Sequence, residues 1–249
     1  KLASIMKELR FYHCSRQMNA IRYALSFLIR YQKDDGSFPV SLAANVFIMD
    51  TILAYGIVSN NYMEKAQKWL LSKQNDDKGW GETAEEHSDI WLTVKVLHTF
   101  SYNMKYIRNT KIRKSISFVL SHLDIENKGG ILEGKHYWET FTQNYSFEGY
   151  FSGGILSILE MLSRMNTGCE DVRIQEMLRR LIAKQMHSGL WPMQSYDPYT
   201  IRSDERVTMR VVRVLKLFYL MPLGGSATIK SVRIKQSGRT SAKKPAFVT

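Results

Sequence analysis

Carboxylates stand at matching places in a repeated pattern. The stretch Ser88-Asp89-Ile90-Trp91-Leu92-Thr93-Val94-Lys95-Val96-Leu97 returns as Ser203-Asp204-Glu205-Arg206-Val207-Thr208-Met209-Arg210-Val211-Val212. The shared pattern is Ser-Asp, three residues, Thr, an apolar residue, a base, Val and an aliphatic residue. Two weaker copies align on steps of four: Asn45, Met49 and Leu53, then Glu148, Ser152 and Leu156. Steps of four keep side chains on one face of a helix. Asn45, Asp89, Glu148 and Asp204 are thus expected to head four related helices, with Glu86 just ahead of Asp89 in Glu86-His87-Ser88-Asp89. A carboxylate in such a place has two readings. It caps the backbone N–H groups of its own helix, as Ser-Asp pairs at helix starts commonly do, or it serves whatever the helices enclose.

The elements that must position these heads recur as units. Residues 1–13 read as a short amphipathic helix. A second helix from about Gln17 to Gln32 places Ile21, Leu25, Leu28 and Ile29 on one face and ends in Gln32-Lys33-Asp34-Asp35-Gly36-Ser37-Phe38-Pro39. Glycine and proline stop it there, and the Asn45 helix follows to about Gly56. The same punctuation follows Trp69-Leu70-Leu71-Ser72-Lys73-Gln74, ending in Gly79-Trp80 before the Asp89 helix. It follows Phe118-Val119-Leu120, ending in Gly129-Gly130-Ile131 before a long loop and the Glu148 helix. It follows Leu181-Ile182-Ala183-Lys184-Gln185, ending in Gly189-Leu190-Trp191 before the Asp204 helix. Four helix-loop-helix units of this kind bury a continuous core only by stacking on their neighbours. β-branched runs of period two are absent, so the fold is expected to be all-α. Residues 1–221 read as one domain and 222–249, poor in apolar residues, as a flexible basic tail.

With 249 residues, 44% of them apolar, the chain can bury one sizeable core. No apolar run approaches the ~20 residues of a membrane span. The N-terminus lacks the apolar block of a signal peptide, and Cys14 and Cys169 suggest no disulfide framework. A cytoplasmic protein, with a peripheral membrane contact as an option, is expected. The net charge of +12 is concentrated after Glu205, where ten bases and no acid occur, so the remainder is close to balanced. That end suits an anionic partner such as a diphosphate, a membrane surface or RNA. No nucleic-acid motif accompanies it, and nucleic acid is not expected as a partner.

The aromatic-Leu, Gln, short acidic loop and Gly-Trp of Trp69-Leu70…Gln74…Gly79-Trp80 resemble the repeat of the terpenoid cyclase and protein prenyltransferase superfamily. Phe27-Leu28…Gln32…Gly36-Ser37-Phe38 and Leu181…Gln185…Gly189-Leu190-Trp191 are further copies, and the resemblance covers roughly residues 17–220. It implies an α/α toroid whose inner helices line a central cavity, here a short or incomplete ring that a partner domain or a second copy would complete. It also implies class II cyclase chemistry, in which an Asp-x-Asp-Asp motif at an inner-helix head protonates an isoprenoid. The acid would be a carboxylic acid of raised proton affinity, and aromatic faces would stabilise the carbocation.

On this chain Asp89 is the candidate acid, with Glu86, Glu148 and Asp204 as the other candidate catalytic carboxylates. Ser88 stands where the family has its middle Asp. Asn45, His87, Trp91, Trp138, Tyr145, Phe151 and Arg206 are the candidate substrate-binding residues. The aromatic loop at 135–145 reads as a wall of the cavity or as packing between repeats. Arg206, Arg210 and Arg213 lie near one helical face, to grip a diphosphate or to form a solvated basic face. No metal site is expected, and no cofactor beyond magnesium if the substrate is a diphosphate. The zinc set of the prenyltransferases is not matched around Cys169. The alternative function is a toroid that binds a lipid or peptide without chemistry, or an excised domain of a larger cyclase.

Overall fold

The computed structural model describes residues 1–57, 61–83, 87–122, 154–194, 201–203 and 205–219. Among them are ten helices: α1 (Leu2–Phe11), α2 (Asn19–Arg30), α3 (Leu42–Ala54), α4 (Asn61–Ser72), α5 (Ile90–Phe100), α6 (Met104–Ile107), α7 (Thr110–Ser121), α8 (Ile155–Arg164), α9 (Val172–Ala183) and α10 (Glu205–Tyr219). One small antiparallel hairpin, β1 (Pro192–Gln194) with β2 (Ile201–Ser203), pairs Pro192 with Ser203 just ahead of α10. The expected tail lies outside the described residues. No helix among those described is long and apolar enough to cross a membrane.

The helices form two layers. α1, α3, α5, α8 and α10 pack side by side in that order, while α2 packs on α1, α4 on α3, α7 on α5 and α9 on α8. This is an all-α, α/α-toroid arrangement. The layers follow from the distribution of apolar residues. The outer helix α2 buries only Ile21, Leu25 and Leu28, a single stripe, and α9 buries Ile174, Met177, Leu178 and Leu181. The inner helices α3, α5 and α8 bury most of their surface, and every residue of α5 from Ile90 to Leu97 is buried, while α1 and α10 each bury one stripe. A helix buried all round has neighbours on every side. One assignment changes here. Residues 1–13, expected as an extra N-terminal helix, contain the first inner helix, because Lys7 reaches Asp50 of α3 and Tyr55 donates to the Met6 carbonyl at 2.7 Å.

The Gln-Gly-aromatic loops tie the layers together. Gln32 Nε2 donates to the Gly36 carbonyl at 2.8 Å, Gln74 Nε2 to that of Lys78 at 3.2 Å, and Gln185 Nε2 to that of Gly189 at 2.8 Å. Gln32 also reaches the Tyr62 carbonyl at 2.8 Å, and Gln74 the Ser115 hydroxyl at 2.7 Å, so each holds the next outer helix. The indoles point back into their own units, Trp80 Nε1 donating to Leu70 O at 2.8 Å and Trp191 Nε1 to Leu181 O at 2.7 Å. The carbonyl to which each Gln donates belongs to a left-handed residue, Gly36 at φ 95°, Lys78 at 78° and Gly189 at 81°. Gly36 is required twice over, since a Cβ there would lie 2.4 Å from the Lys65 carbonyl carbon.

Backbone hydrogen bonds of the loop aromatics set the true register of the repeat. Trp80 N donates to Thr93 Oγ1 at 3.0 Å, Trp191 N to Thr208 Oγ1 at 2.9 Å, and Phe38 N to Asn45 Oδ1 at 2.6 Å. Asn45 therefore matches Thr93 and Thr208, not Asp89. The residue matching Asp89 is Ser41, which caps α3 through Ala44 N as Asp89 caps α5 through Leu92 N. The expected alignment was one helical turn out of step, because a step of four maps a helix face onto itself. In the third copy the described helix begins at Ile155 with Gly154 as its cap, and Glu148 lies outside the described residues.

Candidate functional site

The five inner helices line a partly open central cavity of about 790 Å³. Its lining includes Lys7 and Arg10 of α1, Asp50 of α3, Lys95 and His98 of α5, Glu160 and Arg164 of α8, and Arg206, Arg210 and Arg213 of α10. Tyr55, Tyr102, Val94, Val207 and Met209 supply apolar surface. The registers explain the meeting. Lys95, Arg210 and Phe47 each stand two places beyond Thr93, Thr208 and Asn45, on the same level of their helices. Lys7 joins that level from α1, its Nζ lying 4.9 Å from the Phe47 ring centroid.

Charge within the cavity is arranged in two groups. Asp50, 3% exposed, accepts from Lys7 Nζ on one oxygen and meets His98 Nδ1 at 2.7 Å on the other. Burial alone would raise its proton affinity, but Lys7 and His98 outweigh that and hold the carboxyl well below the usual carboxylate range. Burial lowers the His98 imidazole more than Asp50 raises it, so the ring is neutral and donates from Nδ1 to the carboxylate. Glu160 takes both Nε and an Nη of Arg210, at 2.8 and 2.7 Å. Burial pushes its carboxyl up, and the guanidinium brings it below the ordinary range. Such forked pairs are the strong form of the interaction.

Lys95 is the unusual member. It is 5% exposed, with Nζ 3.4 Å from Ser157 Oγ. Burial first, then the charges of Lys7 and Arg210, lower its ammonium to about 7. Across the lining, seven bases (Lys7, Arg10, Lys95, Arg164, Arg206, Arg210, Arg213) face two acids, Asp50 and Glu160. Burial pushes the Tyr102 phenol up, and its ring lies 5.1 Å from the Arg164 guanidinium.

The candidate residues fall into three groups. Arg206 lines the cavity, as do Arg210 and Arg213, which were left between diphosphate grip and solvated face. Asp89 is exposed, capping α5 with its oxygen 2.6 Å from Leu92 N, and His87 beside it is also exposed; neither is in the lining. Asn45 was expected to touch substrate. Instead its amide is fully buried and donates to the carbonyls of Phe38, Val40 and Ser41 at 3.0–3.1 Å, which fixes the loop. Trp91 is buried in the core, away from the lining. Glu86, Glu148, Asp204, Trp138, Tyr145 and Phe151 lie outside the described residues. Among the described residues no cluster of three or more His, Cys, Asp or Glu side chains fits a metal ion.

The site residues missed from the sequence are Lys7, Asp50, Lys95, His98 and Glu160. A signal for two of them was present. Asp50 and Lys95 are the only Asp, Glu, Lys or Arg residues in the largely apolar helices α3 and α5, and a charge in such a helix is rarely buried unless paired.

Residues 2–102 match the family model of the squalene-hopene cyclase C-terminal domain. Over that stretch the chain is terpene cyclase-like. The matched stretch runs from α1 through α5 and carries Lys7, Asp50, Lys95 and His98, while Glu160 and Arg210 lie beyond it. No curated protein matches the sequence.

Proposed function

We propose that the central cavity binds an amphiphilic anion, an isoprenoid carrying a phosphate or diphosphate. The observation that carries this reading is the surplus of seven bases over two acids in the described lining. Cations confined beside low-dielectric walls create a positive potential that an anionic head group relieves. Val94, Val207, Met209 and the tyrosines offer surface for an apolar chain, and the likeness to the squalene-hopene cyclase domain supports an isoprenoid as that chain. The test compares thermal stabilisation by farnesyl diphosphate, farnesol and inorganic pyrophosphate, with and without magnesium and at two salt concentrations. The diphosphate compounds are expected to stabilise the fold and to lose strength as salt rises. Equal stabilisation by farnesol would remove the anionic part of the reading.

Proton-initiated cyclisation is a second reading, favoured by the family match. It requires a carboxylic acid that stays protonated beside the substrate. Asp50 and Glu160 are held as anions, so this reading needs Glu86, Glu148 or Asp204, or Asp89 moved from its place as the cap of α5 into the cavity. Extraction and mass spectrometry after incubation with linear isoprenoids decides it. A cyclised product of unchanged mass, lost in Asp89→Asn, assigns the acid; unaltered substrate points to binding without chemistry.

A further inference from the structure

We propose that Lys95 is an imine-forming residue, its Nζ condensing with the aldehyde or keto group of an anionic compound held in the central cavity. The inference rests on the reading of the cavity as an anion site. Three features carry it. Lys95 is 95% buried yet lines the cavity, and its amine lies beside Ser157, another lining residue. Lys7 of α1 and Arg210 of α10 act on it as like charges from across the cavity, and a cationic neighbour is a recognised way to keep an amine nucleophilic. Ser157 Oγ, 3.4 Å from Nζ, gives a hydroxyl within reach of the reacting centre. The lowered proton affinity of the ammonium, to about 7, agrees with this geometry.

The chemistry balances without a further reagent. The Nζ lone pair attacks the carbonyl carbon, and the carbonyl oxygen takes up a proton to give a carbinolamine. Loss of water then forms the C=N bond, with both hydrogens of that water coming from the amine. Ser157 is a positioning residue that relays the proton to the departing hydroxyl. Arg206 and Arg213 hold the anionic end of the ligand, which selects an oxo acid or a phosphorylated aldehyde over a neutral carbonyl compound.

Glyoxylate, the smallest aldehyde bearing a carboxylate, is the probe, with cyanoborohydride to trap the imine and peptide mapping to locate it. Lys95 is expected to be labelled about tenfold faster than the average surface lysine at neutral pH, because at that pH surface amines are almost wholly protonated. Its rate should rise through pH of about 7 and then level. Inorganic pyrophosphate is expected to protect Lys95 and leave surface lysines unaffected. Labelling of Lys95 no faster than that of surface lysines overturns the proposal. Thermal stabilisation by pyrophosphate is measured in parallel: if it persists, only the imine is lost, and if it is absent too, the anion reading falls with it.

Discussion

Lys95 loses its proton in the folded chain near pH 7, far below the ~10.4 of an exposed lysine. Between those values the unfolded chain binds the extra proton, so this residue makes stability rise with pH, by at most about 1.4 kcal/mol per pH unit. Lys95→Met is therefore expected to stabilise the fold most at or below neutrality, with the advantage shrinking toward pH of about 10. Thermal melts of both proteins across that range test it, and a difference independent of pH would mean that Lys95 keeps an ordinary proton affinity. Lys78 offers a smaller correction. It occupies at φ 78° the left-handed place that Gly36 and Gly189 fill in the other loops. A side chain there costs about 1 kcal/mol, part of which glycine's greater freedom in the unfolded chain cancels. Lys78→Gly should raise the urea midpoint by the equivalent of about 0.5 kcal/mol.

Asn45 shows how a helix and its loop become one unit. Its side chain makes four hydrogen bonds to the backbone of residues 38–41, all within 3.1 Å. Asn45→Ala strands buried polar groups and is expected to cost about 3 kcal/mol, while pyrophosphate binding at a permissive temperature stays unchanged. Weakened pyrophosphate binding with little loss of stability would restore Asn45 as a ligand contact. The paired layers were legible in the sequence because the Gln-to-aromatic spacing repeats and each outer helix shows one apolar stripe. The cap role of Asp89 was legible too, since Ser-Asp at a helix start has a local meaning. The cavity lining was not. Lys7, Asp50, Lys95 and Glu160 sit on four different helices, and their meeting depends on the register of the loops. The turn-long slip at Asn45 hid the level that Phe47 shares with Lys95 and Arg210.

Across the whole molecule, Asp50 joins α1, α3 and α5 through Lys7 and His98. Lys7→Met leaves the buried carboxylate with only a neutral imidazole and is expected to cost about 3 kcal/mol at pH of about 8. The loss of the competing cation raises His98, whose folded-state proton affinity then exceeds its unfolded value. Its stabilisation is full below pH of about 6.5 and disappears as pH rises through the new value. Acid should therefore partly rescue Lys7→Met, as read by melts at pH of about 5.5 and 8, and an equal deficit at both would show that His98 does not titrate. The level formed by Lys7, Phe47, Lys95, Glu160 and Arg210 has a further consequence. The bonds that close each loop onto its inner helix are made by Asn45, Thr93 and Thr208, so they are separate from this ring. The ring behaves like the exchangeable bits of a tool whose handle stays the same. One change at Lys95 or Arg210 can retune what the chamber accepts, provided each remaining charge keeps a partner, and the joints of the frame need not change with it.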